Sequence, residues 1–578
     1  MKPLPRQHAV LVEQAIRAAQ DAGDLPAFDL PEIEIKPPKK ADQGDYYSPI
    51  AMVLAKTLGA KPLDLAQTIA KHIPQADFVG KVEVAPPGFL NFRLSDDWLR
   101  GQVEAIIEAG DDAFTLDFGT GKRAQVEFVS ANPTGPLHIG RSRGAIVGDT
   151  MARILQAAGF TVEREYYFNN AGVQMVNLGN SLRIRYLMEL HYPVQLPDEK
   201  DTTFYQGGYL IDFARELVAE HGDALVEVDW QPFKEYAEKK MFEMVKATLE
   251  RVDIRHDVFF NENSLYESGA VWKTLEALDA RGTIYEAVAA EGEDDDEPQY
   301  NQKRKAPVGE LKPAKWFRST DFGDSRDRVM VKGDGNPTYT LPDIAYHMNK
   351  LERGFDVLVN ILGADHYVQH QVVKHGVRAL GGDVDKMNVV IIQLVRMIRG
   401  GQEVKMSTRR GDYDTLDDLI DQTSADAVRY ILLARNANSH LDFDLDLAVK
   451  QSNENPVYYI QYAHVRCAGI LREAAARSVS DEGADLSLLS EEEVRYIRKM
   501  LELAEQIERA SIEFAPHTIA FYALELANLF HPMYDRVRVF GEGVPPEVAK
   551  ARLRFYRAVQ ITLRRALRLM GMSTPERM

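Results

Sequence analysis

Residues 130–160 read "SANPTGPLHIGRSRGAIVGDTMARILQAAGF", a turn crowded with Pro, Gly and His that settles into helix-like sequence. Before it, "AQVEFVSA" (124–131) is a short apolar strand, and after it "TVEREYYFNNAG" (161–172) is another. Strand, Gly-rich turn, helix, strand is a βαβ unit, which requires a parallel sheet. A turn of this kind offers free backbone N–H groups and the positive end of a helix dipole to an anion. Its glycines, at 135, 140, 144 and 148, match neither the dinucleotide fingerprint nor a Walker loop, which needs Lys and then Ser or Thr after the last glycine. The turn carries His138 instead, two residues before Gly140. An imidazole there can donate to phosphoryl oxygens as charge builds, and a glycine lets a flat base lie against the backbone.

Two further stretches, "DVLVNILG" (356–363) and "NVVIIQLV" (388–395), are near-continuously apolar, as strands covered on both faces should be. The expected fold is a doubly wound parallel sheet of Rossmann type spanning 116–404. A small α/β module precedes it over 1–115, where helical "YYSPIAMVLAKTLGA" and "PLDLAQTIAKHI" are followed by strand-like "KVEVAPPGFLNFRLS". Gly119 and Gly121 mark the boundary. The charge-block segment "EAVAAEGEDDDEPQYNQKRK" (286–305) reads as an exposed loop. A loop region over 405–452 leads to 453–578, where helical periodicity without a strand candidate predicts an all-α bundle.

The 578 residues are too many for one core, and 45% hydrophobic with 27% charged residues is ordinary for a soluble globular chain. With no apolar run of membrane length and no signal peptide, the reading is cytoplasmic. Cys467 stands alone, which excludes an internal disulfide framework and a thiolate zinc cluster. The net charge of −18 argues against a nucleic-acid partner at first sight, yet residues 451–578 hold 17 Lys+Arg against 17 Asp+Glu. Within them, "ARLRFYRAVQITLRRALRLMGMSTPERM" has seven Arg and one Glu, which reads as a solvated face or as a basic face for a polyanion.

A second cluster, "VKMSTRRG" (404–411), follows the turn "RMIRGGQE". Lys405, Arg409 and Arg410 in a glycine-bounded loop suit a leaving pyrophosphate, and Ser407 can hydrogen-bond a phosphate. In this order and βαβ context the two clusters resemble the HIGH and KMSKS signatures of class I aminoacyl-tRNA synthetases. Over essentially the whole chain the sequence is similar to the bacterial-type arginyl-tRNA synthetase family. "VEFVSANPTGPLHIG" resembles the family's entry to its first signature, implying that Glu127, Ser130 and Asn132 hold the amino acid. "YYFNNAGVQ" resembles its next strand, with Asn169-Asn170 where the family more often has Asn-Asp. "DFGDSRDRVMVKGDGNPTYTLPDIAYH" resembles its arginine-selecting segment, through Tyr339 and Asp343. "ILGADHYVQHQ" resembles its nucleotide-side loop, through Gly363, Asp365 and His366.

The resemblance implies an ATP-dependent ligase. Arginine attacks the α-phosphate of Mg2+-bound ATP to give arginyl-adenylate, and the terminal adenosine of tRNA(Arg) then takes the arginyl group. His138, Gly140, Arg141, Lys405 and Ser407 would be catalytic, with Gly363, Asp365, His366 and Met406 completing the ATP site. It also implies no resident metal ligands, a monomer, and an N-terminal module that touches the outer corner of tRNA. "NENPVYYIQYAHVRCAGILR" and the terminal "PERM" resemble the anticodon-binding bundle, with Tyr459, Gln461, Tyr462, His464, Arg466, Tyr534 and Arg538 as candidates; aromatic stacking on unpaired bases needs no net positive charge. In the same bundle, helical spacing puts about half of the tyrosines in the core.

The chemistry of the expected substrate fits these residues. A guanidinium is always charged and presents a rigid fork of donors, so selecting it requires planar acceptors at the end of a long pocket. Tyr339 and Asp343 lie four apart, and with Pro342 at the first helical position both can face that pocket. Glu127 is left for the ammonium. Two positions depart from the family pattern: Arg141 replaces the second histidine of the first signature, and Thr408 the second lysine of the second. They leave a rival reading, a catalytically weak paralogue that binds tRNA without charging it.

Overall fold

The structure, a computed structural model, describes residues 2–198, 203–288, 313–404 and 415–578. The second signature at 405–411 and most of the charge-block segment lie outside these residues. The chain forms two compact units: Met1–Thr120 with Ala157–Gly159 and Lys450–Met578, and Gly121–Gln156 with Phe160–Val449.

The first unit opens with α1 (Leu4–Asp21), β1 (Tyr46–Ser48), α2 (Ile50–Leu58), α3 (Pro62–Lys71), β2 (Val79–Ala85), β3 (Phe89–Leu94) and α4 (Asp96–Ala109). The three strands make an antiparallel sheet in the order β1-β3-β2. Ser95 caps α4 by accepting from the Trp98 N–H, with Asp96 and Asp97 complementing the helix dipole.

The second unit is built on β4 (Arg123–Glu127), α5 (Ile139–Ala157) and β5 (Thr161–Phe168), the βαβ unit expected from sequence. Next come the helices α6 (Val173–Glu189), α7 (Tyr209–His221) and α8 (Trp230–Arg251), which share a core of Leu178, Leu182, Tyr186, Phe213 and Phe233. Then follow β6 (Val258–Asn261), α9 (Asn263–Glu267), α10 (Ala270–Ala280), β7 (Ile284–Ala287), β8 (Ala314–Phe317), β9 (Arg328–Val331), α11 (Thr340–Glu352), β10 (Val357–Gly363), α12 (Tyr367–Ala379) and β11 (Met387–Ile392). Strands β11-β10-β4-β5-β6 form one sheet with parallel pairings throughout. Its order places the first strand, β4, between β5 and β10, so the chain leaves β4 toward one side and later returns on the other. The crevice beyond the carboxyl ends of β4 and β10 is the switch point where such sheets bind ligands.

Both faces of this sheet are covered. On one face α5 presses so closely that a Cβ at Gly148 would stand 2.3 Å from the Phe128 ring. On the other, α11 runs over Glu127 and Glu165 through Lys350 and Tyr346. Arg143 of α5 is fully buried, and its guanidinium donates to the carbonyls of Gln393 (3.0 Å), Ser439 (2.7 Å) and Asn436 (2.9 Å). It thereby fastens the signature helix to the segment holding β12 (Val395–Arg399), β13 (Gln402–Glu403), α13 (Leu416–Gln422), α14 (Ala425–Leu433), β14 (Leu441–Asp444) and α15 (Leu445–Ala448). In that segment β12 pairs with β13 antiparallel and with β14 in parallel.

The chain returns to the first unit as α16 (Pro456–Ala476), α17 (Glu491–Glu513), α18 (His517–Arg536) and α19 (Pro546–Leu569). Among the described residues after 453 there is no strand, in agreement with the periodicity. The arginines of α19 are not a free basic face: Arg554, Arg557, Arg564 and Arg568 are ion-paired, although Arg557 and Arg568 keep 42% and 48% of their side chains exposed. Arg554 pairs with Glu104, Arg557 with Asp481 (2.9 Å), and Arg564 (3.0 Å) and Arg568 (2.8 Å) with Asp111. Asp111 has its carboxyl held below the usual carboxylate range, by the Arg568 hydrogen bond first. The arginine-rich stretch is thus a partly exposed seam of ion pairs to α4, the turn after it and the loop after α16.

Candidate active site

The amino-acid end of the site starts at Glu127, the last residue of β4, 6% exposed. Ser130 Oγ donates to its Oε1 at 2.9 Å and Lys350 Nζ to its Oε2 at 2.5 Å. The backbone between them is strained: Val129 and Ser130 have φ of 70° and 43°, a region that L side chains avoid. That strain turns the chain sharply at the strand end, and side chains pin the result. Tyr166 OH donates to the Ala131 carbonyl (2.8 Å) and Tyr209 OH to that of Thr134 (2.7 Å). Asn132 accepts from the Asn169 N–H (3.0 Å) and donates to Gln174 (2.9 Å), joining the turn to the loop after β5. In that loop Asn170 donates to Glu238 at 2.8 Å, so an aspartate there would set two carboxylates against each other.

Asp343 lies in the first turn of α11, with Gln369 of α12 donating to its Oδ2 at 2.6 Å. The helix begins at Thr340, so Pro342 is its third residue rather than its first, a correction to the expected register. Tyr339 caps the helix, half exposed at 47%. Asp343 is joined by a residue that sequence reading missed. Glu262, just past the edge strand β6, is 6% exposed and accepts from Tyr167 OH (2.6 Å) and Asn169 Nδ2 (2.8 Å). Burial pushes the Asp343 carboxyl up to about 8, with the like charges of Glu262 and Glu127 adding to it and Gln369 and Lys350 offsetting part. Burial likewise raises Glu262, against the Tyr167 hydrogen bond. Glu127 and Glu262 therefore both act on Asp343, and Lys350 counters them, an environment suited to a substrate carrying more than one positive charge.

The phosphate end is the turn before α5. The Gly140 N–H donates to His138 Nδ1 at 2.9 Å, which in the neutral ring leaves the proton on Nε2. His138 and Gly140 are both exposed, and Arg141 follows in the same exposed first turn. The backbone of His138 bridges Thr415, and the Leu416 N–H donates to the Leu137 carbonyl at 2.8 Å. Thr415, the first described residue after the second signature, is thus seated on the first signature, while Lys405, Met406 and Ser407 themselves fall outside the described residues. Across the switch point β10 ends at Gly363, three residues past the level of Glu127. A Cβ at Gly363 would stand 2.5 Å from Asp365 Oδ1, so only glycine lets the Asp365 carboxylate fold back there. His366 Nε2 lies 3.7 Å from that carboxylate.

The bundle candidates divide in two. Tyr459, Tyr462, Arg466 and Tyr534 are half-buried and cluster around His531: Tyr462 stacks on its ring at 5.8 Å, and the Arg466 guanidinium lies over Tyr462 at 4.7 Å and Tyr534 at 4.5 Å. Arg538 is exposed. Gln461 and His464 correct the expectation of base contact, because both are buried and hold the end of the chain. Gln461 donates to the Ser573 carbonyl (3.2 Å) and His464 Nδ1 meets that of Pro575 (2.8 Å), anchoring the final residues of the chain.

Comparison with known proteins is consistent along the chain. Residues 7–94 match the family model described as the arginyl tRNA synthetase N terminal domain. Residues 102–290 match tRNA synthetases class I (R), catalytic domain, and residues 460–578 the DALR anticodon binding domain. An arginine-tRNA ligase of Carboxydothermus hydrogenoformans is 41% identical, with 97% of each chain covered. That of Anoxybacillus flavithermus is also 41% identical, over 98% of each. The solved arginyl-tRNA synthetase of Thermus thermophilus has the same fold, with a TM-score of 0.72 at 20% identity and both chains fully covered.

Proposed function

The chain belongs to the arginyl-tRNA synthetase family, ligases that activate arginine with ATP and charge tRNA, and we propose that the crevice between β4 and β10 is where its own residues carry this out. The observation behind the assignment is that Asp343 lies near enough to Glu262 and Glu127 for both charges to raise its carboxyl, with Glu127 held by Lys350 at 2.5 Å. L-Arginine brings an ammonium and a guanidinium, and pairing both with buried carboxylates leaves no stranded charge. In this reading Asp343, Glu262 and Tyr339 take the guanidinium, while Glu127, Ser130 and Asn132 take the amino-acid end. A lysine would offer the guanidinium acceptors a point charge and leave some unfilled, at roughly 1–3 kcal/mol for each unsatisfied group.

The nucleophile is already a carboxylate, so the first step needs positioning and charge stabilisation rather than a general base. His138, with its Nε2 proton directed away from the Gly140 N–H, donates to the α-phosphoryl oxygens as charge grows. Arg141 adds a fixed cation on the same turn, and Lys405 and Ser407 act on the departing pyrophosphate. Gly140 lets the base lie flat, and Gly363, Asp365, His366 and Met406 complete the nucleotide site. The described residues offer no cluster of three His, Cys, Asp or Glu side chains able to hold a metal. Magnesium is assigned to the ATP phosphates, where it would supply charge neutralisation, and no step here runs through it.

For tRNA(Arg), the half-buried cluster of Tyr459, Tyr462, Arg466 and Tyr534 with exposed Arg538 is the proposed anticodon surface, and residues 1–115 the contact to the outer corner. The terminal adenosine then accepts the arginyl group. We also assign the protein to the cytoplasm as a monomer; no described helix is long and apolar enough to cross a membrane. The decisive assay is arginine-dependent exchange of pyrophosphate into ATP with tRNA(Arg) present. Exchange that requires both arginine and tRNA is the expected result. No exchange at saturating substrates would return the protein to the tRNA-binding paralogue reading.

A further inference from the structure

Lys350 lies seven residues after Asp343, two turns further along the same face of α11. Its side chain is fully buried, with Nζ 2.5 Å from Glu127 Oε2 and 3.0 Å from Asn360 Oδ1, and it sits over the Tyr346 ring at 4.3 Å. Asn360 Nδ2 donates to His347 Nε2 at 2.7 Å, and His347 Nδ1 donates to the Asp343 carbonyl at 2.8 Å. Burial first, and then the Lys350 and His370 charges, hold His347 well below its ordinary pKa, so it is the neutral link this chain requires. A run of hydrogen bonds therefore leads from the Glu127 carboxylate through Lys350, Asn360 and His347 to the backbone carbonyl of Asp343.

A buried ammonium is costly, and an apolar side chain at this helix position would pack against the sheet without that cost. Charge matching explains its presence. With arginine bound and all three carboxylates ionised, they alone would set three negative charges against the two positive charges of the substrate's head and tail. We propose that Lys350 is a positioning residue of the arginine pocket: it fixes Glu127 from beneath the substrate and offsets one carboxylate, leaving two negative charges to meet the ammonium and the guanidinium. The inference rests on arginine occupying this pocket, as proposed above.

The groups facing Asp343 define the test. They are Glu127 from β4, Tyr167 from β5, Glu262 after β6, Tyr266 from α9, Lys350 from α11 and Gln369 from α12, with His347 on the Asp343 carbonyl. Burial puts the Asp343 carboxyl at about 8, and Lys350 is one of the two groups that lower it. A guanidinium prefers the ionised carboxylate, so arginine affinity of the native protein should rise with pH and level off above about 8. Titration calorimetry of the full-length protein with L-arginine, from pH 6 to 9.5, reads this directly.

In Lys350→Met the arginine dissociation constant should rise at least tenfold at pH 7, and the levelling-off should move to higher pH, with the Michaelis constant for ATP within twofold of native. Glu127→Gln/Lys350→Met, which removes both partners and leaves no unpaired charge, should bind arginine as Glu127→Gln does. That comparison remains decisive if Lys350→Met fails to fold. Weaker binding with an unmoved pH profile, or independent multiplying losses in the double variant, would overturn the role of Lys350. A native protein that binds no arginine at any pH would instead bring down the pocket assignment itself.

Discussion

Among the described residues the His138 side chain makes one internal hydrogen bond, accepting from the Gly140 N–H, and it is otherwise exposed. A group so placed contributes little to folding and is free to act when phosphoryl charge develops. His138→Ala should therefore lower the adenylation rate by roughly 10²-fold while arginine affinity stays within about twofold, the pattern of a contact made only in the transition state. Single-turnover adenylate formation alongside calorimetry separates the two quantities, and a weakened arginine affinity at unchanged rate would contradict the assignment. At this scale the sequence was unevenly legible. His138, Glu127 and Asp343 sit in recognisable local patterns. Glu262 does not: it follows a four-residue edge strand and reaches Asp343 only because the parallel sheet brings β6, β5 and β4 side by side. Lys350 left a signal, since Asp343, His347 and Lys350 repeat at helical spacing on a face that the hydrophobic pattern buries.

At the scale of elements, the βαβ unit and the strands β10 and β11 were readable because a doubly covered strand is apolar almost without interruption. The short antiparallel sheet β7-β8-β9 was not, since strands of four residues carry too little alternation to stand out from loops. Helix α19 shows a different limit. Its arginines were visible, but whether they face water, phosphate or carboxylates depends on what packs beside them, and that is α4 and its turn. The consequence can be measured. Arg557→Gln, which removes an ion pair to Asp481 at 2.9 Å, should change stability by no more than about 1 kcal/mol, as for partly exposed pairs. It should also leave the slope of log K for tRNA binding against log salt unaltered. A slope reduced by about one unit would mean that Arg557 meets a phosphate after all.

For the whole molecule, the net charge of −18 was a poor guide to partners, because it sums over a chain whose last 128 residues are neutral. The two ends of that chain build one compact unit, an arrangement that no local pattern encodes. Glu505 of α17 is set against this joint, where Tyr46 of β1 donates to it. Burial pushes its carboxyl up to about 8, the Tyr46 hydrogen bond lowers it, and Glu502 and Glu508 raise it again. A carboxyl whose pKa is higher folded than unfolded stabilises the fold at low pH, and that contribution is lost as pH rises through the folded value. The melting temperature of this unit should fall between about pH 4.5 and 8 and level off above, and Glu505→Gln should flatten the dependence; scanning calorimetry of both proteins decides it, and an equal slope in the variant would exclude Glu505 as the source.

The joining of the two termini also sets a timetable for synthesis. A ribosome adding about 5–20 residues per second needs roughly 25 to 90 s to go from residue 120 to residue 578. Until α17 and α19 emerge, the nascent N-terminal module lacks the helices that pack on α4, and Tyr46 has no Glu505 to bond. This module is made first and finished last, and for most of the protein's birth it is the part that chaperones would find incomplete.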